Sequence, residues 1–315
     1  MTKFQSLEIC AGAGGQALGL EQAGFGHVAL VEIDHFACQT LRTNRPDWNV
    51  VEADVKDFDP APYRGVDLVA GGVPCPPFSV AGKQLGADDE RDLFPEALRI
   101  VAACQPKAVL IENVRGILEP KFAPFRQQVL AELADMGYQS DWKLVHASDF
   151  GVPQLRPRAI LVALKTAFFP HFQWPEKMPV PPPPVGEVLF EEMASLGWEN
   201  VRQWQKIAHK IAPTLVGGSK KHGGPDLGPT RARKAWAELG VDGRGLADHP
   251  PINGFDGMPR LTVRMTALLQ GFPRDWEFSG KKTPQYRQIG NAFPPPVAKS
   301  IGESILKALR HGEKI

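Results

Sequence analysis

The chain has 315 residues, of which 43% are hydrophobic and 23% charged. That is enough for one large domain, or one large and one small, and too ordinary a balance for a collagen-like, coiled-coil or disordered protein. No apolar run approaches the roughly 18 to 20 residues that a membrane span requires, and a formal net charge of +1 excludes a general polycation.

Met1 to Ser6 lead straight into a strand-like pattern with no apolar signal region, which predicts a cytoplasmic protein. Ser6 to Cys10 reads as a strand, followed by the Gly-rich turn Ala11-Gly12-Ala13-Gly14-Gly15 and a helix from Gln16 to Gln22. Val28 to Val31 is a second strand ending at Glu32, and a helix from His35 to Arg45 is stopped by Pro46. Val50-Val51 leads to Asp54; Val66 to Ala70 and Ala108 to Ile111 are further strands, with helical spacing between them from Leu93 to Cys104. A helix from Phe122 to Met136 closes at Gly137, and Trp142 to Ala147 and Arg158 to Leu164 complete the strands. Strands alternating with helices predict an α/β fold with a parallel, doubly wound sheet.

The regularity stops near Thr166. Residues 170 to 184 hold seven prolines, a stiff linker. Val185 to Pro259 is weakly periodic. Within it, Arg202 to Lys234 carries eight Lys or Arg against the single acid Asp226. A local basic block with Trp204 nearby suits a polyanion-binding face, or else a solvated loop. A helical pattern returns around Leu261, and Pro294 to Leu309 reads as a terminal helix with its prolines at the start. The plan expected is an α/β domain of residues 1–168 plus 260–315, interrupted by a smaller domain of residues 169–259.

Cys10, Cys38, Cys75 and Cys104 form no C-x-x-C pair, so neither a zinc site nor a disulfide framework is expected. The turn from Gly12 with Glu32 at the end of the next strand fits an adenosine cofactor, nicotinamide or S-adenosylmethionine about equally. Asp54, ending the third strand, suits an adenine amine, or else is only a turn aspartate. In Gly71-Gly72-Val73-Pro74-Cys75-Pro76-Pro77-Phe78-Ser79, prolines flank a cysteine just past a strand's C-terminal end, and a Gly-rich segment follows. That is how a nucleophile on a closing loop is built. Glu112 ends the fifth strand after an apolar run and needs a partner if buried. Gln154-Leu155-Arg156-Pro157-Arg158 brings two guanidiniums toward the same strand ends.

In this order the blocks resemble the DNA (cytosine-5) methyltransferases of prokaryotic restriction-modification type. They are the cofactor turn, the Pro-Cys loop, Glu112-Asn113-Val114, Gln-x-Arg-x-Arg, Leu269 to Pro273 and Gln288 to Pro295. The resemblance implies a Rossmann-like, S-adenosylmethionine-dependent sheet with a smaller target-recognition domain. Three positions depart from the family pattern: Cys10 stands where many members stack an aromatic on the adenine, Pro76 where many have Gln, and Met265 where an acid is usual.

The resemblance further implies that Cys75 adds to cytosine C6, that Glu112 binds the N3/N4 edge, that Arg158 binds O2 and that Arg156 helps hold the site. The cofactor would lie against Cys10, Gly12, Ala13, Gly14, Glu32, Ile33, Asp54, Val55, Gly72, Pro74, Leu93 and Asn291. Candidate DNA contacts are Ser79, Lys83, Gln154, Lys220, Lys221, Arg231 and Arg233. The implied cofactor is S-adenosylmethionine, leaving S-adenosylhomocysteine, with no metal. The partner is double-stranded DNA, with the enzyme acting as a monomer near the nucleoid and no membrane, and with any cognate restriction endonuclease acting without direct contact. A transfer-RNA methyltransferase of the same superfamily is the alternative. A nicotinamide dehydrogenase leaves the Pro-Cys loop idle, and a non-catalytic DNA-binding relative has no need of Cys75 with Glu112.

Overall fold

The computed structural model describes residues 4–74, 93–217 and 224–313. The strands are β1 (Gln5–Ile9), β2 (Gly26–Glu32), β3 (Val50–Glu52), β4 (Leu68–Gly72), β5 (Ala108–Val114), β6 (Tyr138–His146) and β7 (Pro157–Lys165). Helices α1 (Gly15–Ala23), α2 (His35–Asn44), α3 (Phe94–Cys104) and α4 (Ala123–Asp135) alternate with the strands. They are followed by α5 (Val185–Val188), α6 (Phe190–Ala194), α7 (Val201–Ile207), α8 (Thr230–Ala237), α9 (Val263–Leu269), α10 (Lys282–Asn291) and α11 (Pro295–Gly312). The contacts divide the chain into two compact units: residues 1–145, 157–176 and 298–315, and residues 146–156 and 177–297.

The first unit is built on a seven-stranded sheet in the order β3-β2-β1-β4-β5-β7-β6. Neighbours from β3 to β5 are parallel, and the order reverses between β1 and β4, the switch point where such sheets bind ligands. The backbones are close there: a Cβ on Gly71 would lie 2.6 Å from the Ile9 carbonyl oxygen. The sheet is not wholly parallel, as the alternation had suggested, because β7 runs antiparallel to β5. Residues 147–156 are too short a connection for a helical crossover, so the chain reverses instead. Strand β6 also starts four residues before the expected Trp142, at Tyr138.

The second unit has its own core, with Trp198, Trp204 and Trp236 at its centre. Leu261, Met265, Leu269 and Tyr286 belong to that core, so the segment 260–297, expected with the sheet, packs with the insert. Helices α5, α6 and α7 have at most seven residues, too few for a 3.6-residue repeat to show in the sequence. Trp204, expected beside a phosphate-gripping run, is 3% exposed, its ring 6.4 Å from that of Trp198.

One charge in the sheet is unusual. Glu8, in the middle of β1, is fully buried and lies 3.5 Å from His27 Nδ1. His27 Nε2 donates to the Ala17 carbonyl at 3.1 Å, and Ser6 Oγ lies 2.7 Å from Nδ1. Burial pushes the Glu8 pKa from 4.5 up to about 8. The native protein then keeps a proton that the unfolded chain releases between those values, so stability falls as pH rises through that window. Glu8→Gln keeps the shape without the ionisation. Its melting temperature should change less than wild type between about pH 5 and 8, and should exceed wild type by a few degrees at about pH 8. Thermal melts across that range check this.

Candidate active site

After β1 the chain turns through Cys10, Gly12 and Gly14, which take φ of 50°, 54° and 85°. A Cβ on Gly12 would meet nothing within 4 Å, so the left-handed backbone, not crowding, selects glycine there and leaves open space over the turn. The turn is tied to the end of β2. Gly12 N–H donates to Glu32 Oε2 at 2.7 Å, and the N–H groups of Ile33 and Asp34 donate to Oε1 at 2.9 and 2.8 Å. Burial pushes the Glu32 pKa up, and the three amides oppose that shift. Around this carboxylate, Ala13 and Val55 are buried, the Ile33 side chain is 65% exposed, and Asp54 Oδ1 accepts the Lys56 N–H at 3.0 Å. Burial pushes the Cys10 thiol up to about 12, which makes it a neutral wall group. Cys38 and Cys104 are buried free thiols, likewise pushed up, to about 12 and about 11.

The other half of the edge is built by β4, β5 and β7. Gly72 ends β4 directly beside Glu112 of β5, and a Cβ on Gly72 would lie 3.4 Å from Glu112 Oε2. Arg158, at the start of β7, pairs with Val114, and its Nε donates to Glu112 Oε1 at 2.6 Å. Both side chains are largely buried, so the guanidinium supplies the partner that a carboxylate inside the sheet edge requires. Pro74 is exposed, and its carbonyl accepts the Leu93 N–H at 3.3 Å at the entrance to α3. Cys75, Ser79 and Lys83 lie outside the described residues, as do Lys220 and Lys221.

In the second unit Arg156 is fully buried. Its Nη1 donates to the Leu215 carbonyl at 2.8 Å, and its Nη2 to those of Gly290 and Ala292 at 2.7 and 3.0 Å. Gln154 is equally buried: Nε2 donates to Leu269 O and Gln270 Oε1, and Oε1 accepts the Leu215 N–H. Gln154, expected on the DNA surface, is therefore an interior bracket, and Arg156 likewise holds backbone carbonyls. Asn291, between two of those carbonyls, is exposed. On α8, Arg231 is exposed, while Arg233 is half-buried and reaches Thr230 Oγ1 at 3.5 Å.

Two contributors were not assigned from sequence. Asn113 donates from Nδ2 to the Val73 carbonyl at 2.9 Å and accepts the Val114 N–H at 2.8 Å, fixing the root of the segment that leads to Cys75. Gln270 donates to the Ala292 carbonyl at 2.6 Å and completes the Gln154 network. Both stand inside motif blocks, which marks the blocks but not the task of each side chain.

A family model described as C-5 cytosine-specific DNA methylase matches residues 4–307. Type II methyltransferase M.NgoMIV of Neisseria gonorrhoeae is 56% identical over 311 residues, covering 98% of this chain and 99% of that protein. M.NaeI of Lentzea aerocolonigenes is 57% identical over 315 residues, covering 98% and 76%. The chain belongs to the C-5 cytosine-specific DNA methylase family. The same fold is found in a DNA modification methyltransferase encoded within an E. coli prophage, with a TM-score of 0.69 at 22% identity, covering 98% of this chain and 99% of that one. S. pombe Dnmt2 methyltransferase matches with a TM-score of 0.66 at 18% identity and the same coverage.

The methyltransferase accommodates one departure from its family in an instructive way. Met265, where an acid is usual, is buried at the start of α9, and its sulfur accepts the Thr262 N–H at 3.4 Å. Thr262 Oγ1 accepts the Met265 N–H at 3.2 Å, so a thioether closes the capping box that a carboxylate normally would.

Because Arg156 satisfies three buried carbonyls, Arg156→Met should destabilise the methyltransferase by about 2 to 4 kcal/mol. Arg156→Lys, which lacks the planar fork, should recover less than half of that. Urea unfolding of both variants checks this.

Proposed function

We propose that this methyltransferase flips a cytosine out of a specific short site in double-stranded DNA and methylates its C5 through a covalent adduct with Cys75. The observation that carries the reading is the placement of Glu112, held by Arg158 at 2.6 Å and paired with Gly72, three residues before Cys75. Cytosine C5 is a poor nucleophile until the ring is activated, and flipping costs a few kcal/mol. The Cys75 thiolate adds to C6 and the C5–C6 electron pair moves to C5, while Glu112 directs a proton to N3 and so stabilises the adduct. Arg158 occupies Glu112 Oε1, which leaves Oε2 for the base, and its own remaining donors suit the cytosine O2. Carbon 5 then takes the methyl group, loses its proton to a base, and expels Cys75 as the C5–C6 double bond re-forms.

S-adenosylmethionine is the methyl donor of this family, and the residues of the first unit suit it. The space over Gly12 is open, and Glu32 is fixed by three backbone amides to accept the ribose hydroxyls. Ala13 and Gly14 complete the turn, Ile33 and Val55 flank the adenine, and Asp54 Oδ2 takes its amine. Cys10, Gly72, Pro74 and Leu93 form the remaining wall. When bound, the cofactor supplies an electrophilic methyl group. Arg231 and Arg233 on α8 hold DNA, and the enzyme works as a monomer; the Type II names of its relatives support a place beside a cognate endonuclease.

Cys75→Ser should lower methyl transfer to below a tenth of wild type while specific DNA binding persists, because an alcohol is far less ionised than a thiol near neutral pH. Tritium transfer and gel-shift assays on one duplex separate the two effects. Glu32→Ala should weaken S-adenosylmethionine binding by one to two decades, about 1.5 to 3 kcal/mol, and leave DNA affinity nearly unchanged. Calorimetry with the cofactor alone reads this.

A further inference from the structure

Around the turn 242–246 in the second unit, one carboxylate gathers two arginines. Asp242 is 9% exposed. Its Oδ1 accepts from Arg244 Nε at 2.9 Å and from the Arg244 backbone N–H at 3.0 Å; its Oδ2 accepts from Arg244 Nη2 at 3.1 Å and from Arg260 Nε at 3.0 Å. The Asp242 N–H donates to the Pro259 carbonyl at 2.9 Å, so the two segments that carry the arginines are joined at their roots. The guanidiniums nevertheless face outward: the Arg244 side chain is 71% exposed and that of Arg260 45%.

The cluster satisfies the nearly buried Asp242 carboxylate, but its exposed guanidinium ends add little stability, since exposed ion pairs are worth about 0 to 1 kcal/mol. As a device for aiming, it is well made. Asp242 consumes the Nε–Nη2 side of Arg244 and leaves the Nη1–Nη2 end, two N–H groups pointing the same way, toward solvent. That end matches O6 and N7 of guanine in the major groove, the commonest specific arginine contact in DNA. A phosphate contact would need no such aiming, and a carboxylate beside it would repel the phosphate. Arg233 supplies charge for the backbone separately: its stem packs over Gly243, whose Cβ would lie 3.1 Å from Arg233 Cγ. Lys282 is instead paired with Asp248 at 2.6 Å and reaches the Leu246 carbonyl at 3.1 Å.

We propose that Arg244 and Arg260 are specificity-determining residues that read guanines in the DNA site, and that Asp242 is the positioning residue that holds them. The proposal rests on the reading of the protein as a DNA cytosine methyltransferase. The full-length enzyme is tested on a duplex library randomised around a central cytosine, with methylation read by bisulfite sequencing for wild type, Arg244→Lys, Arg260→Lys and Asp242→Asn. Lysine keeps the charge and loses the fork. Each lysine variant should lose the preference for guanine at one position by about tenfold or more. Asp242→Asn should relax the same positions, with no loss of slope in the salt dependence of DNA binding. Lysine variants that keep the wild-type base preference, at whatever overall rate, overturn the proposal. If a variant turns over too slowly to sequence, competition binding between the preferred duplex and single-substituted duplexes reads the preference directly: retained preference overturns the assignment, and lost preference supports it. A wild-type enzyme that methylates no cytosine in any duplex would instead defeat the underlying reading.

Discussion

The pair between Arg158 and Glu112 is the contact that allows a carboxylate to lie buried at the edge of the first unit's sheet, and it exists because one strand runs backwards. The catalytic edge of an α/β sheet is where parallel strands end, so a parallel neighbour of β5 would bring its own C-terminal residues there. Running antiparallel, β7 brings its first residues instead, and Arg158 falls opposite Val114, two places from Glu112. A carboxylate that is 8% exposed then meets a guanidinium at 2.6 Å rather than a desolvation penalty with nothing to offset it. Orientation comes with neutralisation, since among the described residues the guanidinium engages one carboxylate oxygen, Oε1.

The end of β2 solves a similar problem differently. Glu32 has no cation beside it among the described contacts; three backbone amides hold it, one from the turn after β1 and two from its own strand end. Amide dipoles fix both oxygens in place and keep the carboxylate compatible with burial. The left-handed turn at Gly12 therefore does two jobs, aiming an N–H at Glu32 and clearing space above itself. Glu8, by contrast, is a buried acid whose oxygens find no hydrogen bond among the described residues, and burial answers by raising its pKa.

The second unit is organised by polar groups as much as by its tryptophans. Gln154, Arg156 and Gln270 are each fully buried, and between them they bind backbone at residues 215, 269, 290 and 292. Such a network ties together segments far apart in sequence, and it explains why the late motif blocks pack with the insert. Asp242 does comparable work at the surface, gathering two arginines from different segments.

The sequence by itself determined the alternation of strands and helices, the glycine turn after β1, the acids Glu32 and Glu112 at strand ends and the order of blocks that marks the family. Those signals are local: a glycine needing positive φ, an acid ending an apolar strand and a repeat of two or 3.6 residues are all written within a few positions. Only the tertiary structure decided the reversal of β7, the allegiance of residues 260–297, the burial of Trp204 and Gln154, and the pairing of Asp242 with Arg244 and Arg260. Gln154 and Arg231 are both polar residues near basic ones, and nothing local separates the interior bracket from the exposed side chain. The difference arises from which backbone groups, 59 to 136 residues away, the fold brings within about 3 Å of Gln154 and Arg156, a distance that spacing along a chain does not encode.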